Sequence, residues 1–172
     1  MTTETTTAPR TADDAERVAI PPRFDLRPRT TDPVFQAMRR FTRATEEQCL
    51  ERSLMELVKI RASQINGCAY CIDMHTLDAE ARGESHQRMH TLAAWREAPF
   101  FTARERAALA YAEAATTLDH AAIEAALDAA EAHFGEDELV ALVWVVAMAN
   151  TWNRVAIPAR ATPGRYTPGR AS

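Results

Sequence analysis

The amino-acid sequence predicts a single all-α domain. The chain of 172 residues has the length of one domain and can bury a core without disulfides or metals. Helix-capping residues repeatedly precede apolar side chains at helical spacing, and no segment has the pattern of a strand. We expect a disordered tail over residues 1–17, a helical domain over 18–157 and an irregular tail over 158–172.

Two helices are expected in the first part of the domain. Asp32 is followed by a proline, which places a cap and a first-turn proline where a helix start prefers them, and this helix should end near residue 43. Thr45 and Gln48 have the spacing of a capping box, which predicts the start of the second helix. An apolar stripe then continues to an Asn-Gly pair, where Gly67 ends the helix in a left-handed conformation.

The rest of the domain is expected to contain five further helices, separated by Gly, Pro and capping residues. They cover residues 68–82, 85–95, 104–118, 120–134 and 137–157. The last of them is apolar nearly all round over residues 139–149, so it should be buried on every side, either as a central core helix or in a subunit interface. The polar residues 150–154 that follow are expected to form a satisfied core network rather than a substrate pocket.

A CxxCxxxH motif at the start of the third helix carries the main functional signal. At about 100° per residue, Cys68, Cys71 and His75 lie within roughly 60° of one another on one helix face. Cys68 stands at the helix N-terminus, where unpaired N–H groups and the helix dipole lower the pKa of a thiol. Cysteines three residues apart in a first turn have Cα atoms roughly 5 to 6 Å apart, which a disulfide can bridge. The pair can therefore cycle between dithiol and disulfide.

An acidic residue in the preceding helix is expected to reach this motif. If the two helices form a hairpin at Gly67, Glu56 lies roughly 15 Å back along its helix and His75 roughly 12 Å forward along the other. Glu56 should therefore meet His75 rather than either sulfur. We predict a proton relay that runs from Glu56 through His75 to Cys71.

Simpler interpretations of the same residues remain open. Cys68, Cys71, His75 and Glu56 could together bind zinc, although glutamate is an uncommon ligand of structural zinc. The two thiols could also be buried and unreactive. Cys49 is the odd thiol, and we expect it to be a packed core residue.

The segment 54–118 resembles the carboxymuconolactone decarboxylase and alkylhydroperoxidase D (AhpD) superfamily, whose redox branch carries Glu, CxxC and His at this spacing. The resemblance implies an AhpD-like helical bundle in which Glu56 and His75 are the proton relay and Cys68 and Cys71 the redox pair. Tyr70 stands where the founding peroxidase has another His. The resemblance thus implies redox activity more strongly than efficient peroxidase activity, and it leaves the attacking sulfur open.

The same resemblance implies a hydroperoxide or other small-molecule substrate, a thiol reductant or a peroxiredoxin partner, and a homo-oligomer, either trimer or hexamer. A non-redox member acting on a small acid as a decarboxylase or isomerase is the alternative. Composition argues against other classes. The net charge is −4 without the basic stripe that nucleic-acid binding needs, and the chain has five glycines and no Gly-rich phosphate loop, so we expect no nucleic-acid partner and no cofactor. We also expect no metal, because no second CxxC or HxxxH pair lies near enough to complete a tetrahedral zinc site. With no signal peptide and no apolar run long enough for a bilayer, we expect a cytoplasmic protein without a membrane segment.

Overall fold

The computed structural model describes residues 18–26 and 30–169, and the regular structure in these ranges is helical throughout. The expected tail over residues 1–17 lies outside them. The described residues form seven α-helices, with a short 3₁₀ helix at Leu92–Ala94 between the fourth and the fifth. The helices are α1 (Pro33–Glu46), α2 (Arg52–Asn66), α3 (Ala69–Ala81), α4 (His86–Thr91), α5 (Ala103–Thr117), α6 (His120–Ala130) and α7 (Glu136–Ala159).

The connection between α1 and α2 corrects two of our expectations. Thr45 does not cap α2, because its hydroxyl donates to the Phe41 carbonyl oxygen at 2.8 Å within the last turn of α1. The N-cap of α2 is Glu51, which makes no side-chain capping bond. Cys49 is exposed rather than packed in the core, because the short connection turns Leu50 inward in its place.

Helix α2 lies at the centre of the domain and packs against α3, α5 and α7. One apolar cluster joins α2 to α5, α6 and α7 and includes Val58 and Leu142. A second joins α2 to α4, the 3₁₀ helix and α5 and includes Leu57 and Leu92. All four side chains are fully buried, and each contributes roughly 1.5 to 3 kcal/mol by leaving water. This double packing fixes the position of α2 and therefore of Glu56.

Within a single chain helix α7 is not buried on every side, so it is not a central core helix, and its burial in a subunit interface stays a prediction. Val140, Val143 and Trp144 are 48%, 37% and 49% exposed, while Leu142 and Val145 on the opposite stripe are buried. The helix meets its neighbours along one stripe only, so an apolar composition all round does not bury its whole circumference. Its 24 residues are long and apolar enough to cross a membrane by length and composition, yet they supply part of the core of this helical domain.

A buried polar network fastens α7 to the end of α2. Asn66 Nδ2 donates to Asn150 Oδ1 at 2.9 Å and to Asn153 Oδ1 at 2.8 Å. Asn153 Nδ2 in turn donates to Ser63 Oγ at 3.1 Å. Asn150 and Asn153 of α7 therefore form a satisfied core network, as the sequence predicted, whereas Arg154 is exposed. Because Asn66 immediately precedes the turn into α3, this network also fixes the point at which the CxxC motif begins.

Candidate active site: a cysteine pair beside a buried Glu–His pair

The turn between α2 and α3 places the cysteine motif. Gly67 has φ of 71° and ends α2 in the left-handed conformation that glycine adopts without a steric penalty. Cys68 follows as the N-cap of α3, and its backbone N–H donates to the Ser63 carbonyl oxygen at 3.0 Å. Its Sγ accepts the backbone N–H of Cys71 at 3.3 Å. The sulfur thus occupies the helix N-terminus, as the sequence predicted.

Cys68 and Cys71 are joined in a disulfide, and their Cα atoms lie 5.3 Å apart, inside the predicted range. Each residue is 2% exposed. They pack with Ala156 of α7, and Tyr70 and Ala161 lie against the same small cluster. The cysteine pair therefore lies beneath a thin cover of side chains rather than open to water.

Glu56 and His75 meet as the hairpin geometry requires. His75 Nδ1 lies 3.1 Å from Glu56 Oε2, and both residues are buried. His75 is one helical turn beyond Cys71 on the same face of α3. The pairing of the carboxylate with the imidazole rather than with a sulfur is thus confirmed, while the catalytic roles of the four residues stay predictions.

The charge state of Glu56 fixes which nitrogen of His75 carries the proton. Burial raises the pKa of Glu56, but the hydrogen bond with His75 and the charge of Lys59 outweigh it and lower the pKa to about 2. An ionised carboxylate only accepts hydrogen bonds, so His75 Nδ1 must be the donor. Nε2 is then the nitrogen that can exchange a proton with a thiol.

Lys59 is a member of the site that sequence reasoning missed. Its Nζ lies 2.9 Å from Glu56 Oε1 and 3.4 Å from Glu46 Oε1, and its side chain is 2% exposed. Arg82 adds a longer contact of 3.4 Å to Glu56 Oε1. A signal was available, since Lys59 is the only lysine of the chain and stands three residues after Glu56 among apolar neighbours.

Asp78 and Tyr166 also belong to the site and were not predicted. The Asp78 carboxylate, the Glu56 carboxylate and a ring nitrogen of His75 all lie within 4.8 Å of one another. The Tyr166 hydroxyl donates a hydrogen bond to Asp78 Oδ1 at 2.8 Å. Asp78 follows His75 by three residues on one helix face and could have been found by that spacing. Tyr166 lies in the segment expected to be an irregular tail, where no sequence pattern marks it.

Two sets of side chains in this region could be considered as metal ligands. Glu56, His75 and Asp78 offer suitable atoms, but the Lys59 ammonium already occupies Glu56 Oε1 and would repel a cation. The zinc set weighed from the sequence needs both cysteine sulfurs as thiolates, and a disulfide supplies none. In the state described here, neither set fits a metal ion well.

A surface cleft of about 200 Å³ opens near the site, between α2, α3 and α5. Its lining includes Arg82, whose guanidinium contacts Glu56, and Ala79. The cleft therefore lies at the C-terminal end of α3, opposite the end that carries the cysteines, and meets the Glu–His pair only through Arg82. The cysteine sulfurs lie instead beneath Tyr70 and Ala161.

The fold and the site together define a helical protein that carries a CxxC disulfide beside a buried Glu–His pair. The family model of the carboxymuconolactone decarboxylase family matches residues 32–114. The chain is 41% identical over 114 residues to the uncharacterised protein YdfG of Bacillus subtilis strain 168, an alignment that covers 66% of this chain and 78% of YdfG. This chain belongs to the carboxymuconolactone decarboxylase family, in the superfamily that includes the AhpD-like proteins.

Solved structures place the fold within the same superfamily. One is from Agrobacterium tumefaciens and is described as a protein of unknown function and a candidate antioxidant-defence protein, AhpD. It is 32% identical, with a TM-score of 0.79 over 85% of this chain and all of that chain. Another, described as an AhpD core in an uncharacterised peroxidase-related protein of Ralstonia eutropha JMP134, has a TM-score of 0.71 over 80% of this chain and 75% of that one. At 21% identity it supports the fold alone. The predicted AhpD-like all-α fold is confirmed.

Proposed function

We propose that this protein is a thiol-dependent oxidoreductase of the AhpD type that reduces hydroperoxides by cycling Cys68 and Cys71 between dithiol and disulfide. The observation that carries the proposal is the buried hydrogen bond between Glu56 and His75, one helical turn from Cys71. A charged, buried carboxylate beside a histidine serves no packing purpose, whereas it orients an imidazole for proton transfer. The candidate antioxidant role of the Agrobacterium relative supports the same assignment.

The first half of the cycle oxidises Cys71. In the reduced protein, His75 Nε2 takes the proton of the Cys71 thiol, and Glu56 stabilises the resulting imidazolium through Nδ1. The thiolate attacks the outer peroxide oxygen, so that an S–O bond forms and the O–O bond breaks. The departing alkoxide takes the proton from His75 and leaves as an alcohol. Cys71 is then a sulfenic acid, oxidised by two electrons.

The second half of the cycle closes the disulfide. Cys68 attacks the Cys71 sulfur, an S–S bond forms, the S–O bond breaks, and the hydroxyl leaves as water with the proton of the Cys68 thiol. In the oxidised state the Cα atoms lie 5.3 Å apart, within the range that a disulfide requires. An external dithiol or a thiol protein must then reduce the disulfide. A peroxiredoxin disulfide in place of the hydroperoxide would draw on the same dithiol, and it is the second partner that we propose.

Substitution of each cysteine tests the cycle. Hydroperoxide consumption is followed with dithiothreitol as reductant, and the sulfenic acid is trapped with dimedone and detected by mass spectrometry. We expect Cys71→Ser to lose turnover and dimedone labelling. Once dithiothreitol has been removed, Cys68→Ser should accumulate the labelled sulfenic acid after one equivalent of hydroperoxide, because no thiol is left to resolve it. Cys49→Ser is the matched control, because this thiol is exposed, forms no disulfide and lies outside the CxxC motif, and it should keep wild-type turnover. Turnover that survives loss of both Cys68 and Cys71 would indicate the non-redox alternative.

We also propose a cytoplasmic homo-oligomer, a trimer or hexamer. A dithiol that cellular reductants regenerate requires a reducing compartment. The exposed apolar stripe of α7 at Val140, Val143 and Trp144 supports assembly, because a second copy would remove it from water. Light scattering measures the mass of the protein in solution. Trp144→Glu should lower that mass to the mass of one chain. If wild type and Trp144→Glu have the same mass, the exposed stripe of α7 does not form the interface.

A further inference from the structure

The chain beyond α7 folds back over the site. We call residues 160–169 the C-terminal strap. The strap is tied to two carboxylates of α3, because the Gly164 backbone N–H donates to Asp73 Oδ2 at 2.7 Å and the Tyr166 hydroxyl donates to Asp78 Oδ1 at 2.8 Å. These two anchors are five residues apart along α3, a rise of about 7.5 Å. The strap therefore runs along α3 beside the site instead of leaving the domain.

Asp78, which accepts a hydrogen bond from the strap, brings a second carboxylate close to the imidazole of His75. Glu56 and Asp78 both have an oxygen within 4.8 Å of a His75 ring nitrogen. His75 Nδ1 carries a single proton, so it can donate a well-aligned hydrogen bond to only one of the two carboxylates. In the structure the partner is Glu56, with a distance of 3.1 Å.

Each of the two carboxylates accepts hydrogen bonds from its own set of donors. Lys59 and Arg82 contact Glu56 Oε1 and leave Oε2 for His75. Asp78 Oδ1 receives the Tyr166 hydroxyl. Burial and the Asp78 carboxylate both raise the pKa of Tyr166, so the phenol stays protonated and remains a donor at neutral pH. The strap thus supplies the donor that satisfies the second carboxylate.

We propose that Tyr166 is a positioning residue for the relay: by donating to Asp78 it keeps that carboxylate from His75 Nδ1, so that His75 stays paired with Glu56. The kinetic consequence rests on the function proposed above. Without the phenol hydroxyl, Asp78 loses its donor and accepts from Nδ1 instead. The ring then turns away from the orientation that presents Nε2 to Cys71. No residue of the sequence motif performs this selection.

Kinetics of three variants test the proposal. Tyr166→Phe removes only the hydroxyl and should lower kcat for hydroperoxide about tenfold, the effect of a misdirected hydrogen bond, with KM changed less than about twofold. Removing the competitor as well, in Tyr166→Phe/Asp78→Ala, should recover most of the lost kcat. Tyr111→Phe deletes the same atom from a buried tyrosine of the apolar core and should leave kcat unchanged. A tyrosine that merely stiffens the strap would give a double variant no faster than Tyr166→Phe, and that result would overturn the proposal.

A spectroscopic measurement separates this inference from the proposed function. Histidine-selective ¹H–¹⁵N spectra of the full chain identify the Nδ1–H signal of His75 by its loss in His75→Asn. We expect this signal to move in Tyr166→Phe, to return in the double variant and to stay in place in Tyr111→Phe. A signal that does not move in Tyr166→Phe would refute the positioning role. Movement of the signal in a protein without peroxidase turnover would support the positioning role and contradict the proposed function.

Discussion

Lys59 Nζ lies 2.9 Å from Glu56 Oε1, and the two side chains are only 2% and 3% exposed. A buried ion pair gains little net stability, because desolvation of both charges opposes their attraction. We therefore assign the function of this ion pair to the negative charge that Lys59 maintains on Glu56. With Lys59 in place, Glu56 remains ionised inside the protein and holds His75 in one tautomer.

Loss of Lys59 should destabilise the fold strongly. Lys59→Met leaves the buried Glu56 without its nearest cation and with only the longer contact to Arg82, and removal of one partner of such a pair costs about 3 to 5 kcal/mol. Urea unfolding measures this loss. The control is Arg52→Ala. The Arg52 side chain is 46% exposed and pairs with Glu46, so its loss should cost less than about 1 kcal/mol. Equal losses in the two variants would contradict a special role for the buried pair.

Stability should depend on pH through Glu56. The pKa of Glu56 falls from 4.5 to about 2 on folding, so the folded state binds fewer protons than the unfolded state between these values. The contribution, about 3 kcal/mol, is complete above pH 4.5 and is lost as the pH falls toward 2. The unfolding free energy of wild type minus that of Glu56→Gln should therefore shrink from pH 6 to pH 3. A constant difference for Glu56→Gln over this range would refute the prediction.

The turn at Gly67 should tolerate asparagine better than alanine. A Cβ at this position meets nothing within 4 Å, so the cost of a substitution comes from the left-handed backbone alone. Gly67→Ala should cost about 1 kcal/mol or slightly more, and Gly67→Asn less, because asparagine adopts this conformation more readily. Thermal unfolding of both variants measures the order. An alanine variant as stable as wild type would show that the backbone at residue 67 can leave the left-handed conformation without cost.

Much of this fold and part of its site follow from local sequence rules. The Asn-Gly turn, the cysteines on one helix face and the distance arithmetic of the hairpin together place Glu56 beside His75. Each of these steps uses spacing within or across one turn, where geometry is nearly fixed. Local rules also misplaced the start of α2, because a threonine at a helix end satisfies its hydroxyl by back-bonding to the preceding turn as readily as by capping the next helix.

The remaining parts of the site depend on tertiary structure. Tyr166 is 88 residues from Asp78, and no periodicity connects a strap without regular structure to the helix that it crosses. The exposed stripe of α7 is a similar case, because Trp144 and Leu142 are both apolar and the packing of α7 on its neighbouring helices decides which of them is buried. Sequence patterns identify which side chains can be buried, whereas contacts between distant segments select which are.

Substitution of the relay pair should separate proton transfer from packing. His75→Asn removes the nitrogen that takes the thiol proton and should lower kcat about 10²- to 10⁴-fold. Glu56→Gln should lower it as well, because an amide can donate as well as accept and no longer fixes the tautomer of His75. Alkylation of the reduced protein by iodoacetamide, followed by mass spectrometry at Cys71, gives an independent readout. In both variants the alkylation of Cys71 should be slower than in wild type at pH 7. The alkylation rate should approach that of wild type toward pH 9, where solvent removes the thiol proton. Wild-type alkylation rates at pH 7 in both would show that Cys71 ionises without the relay.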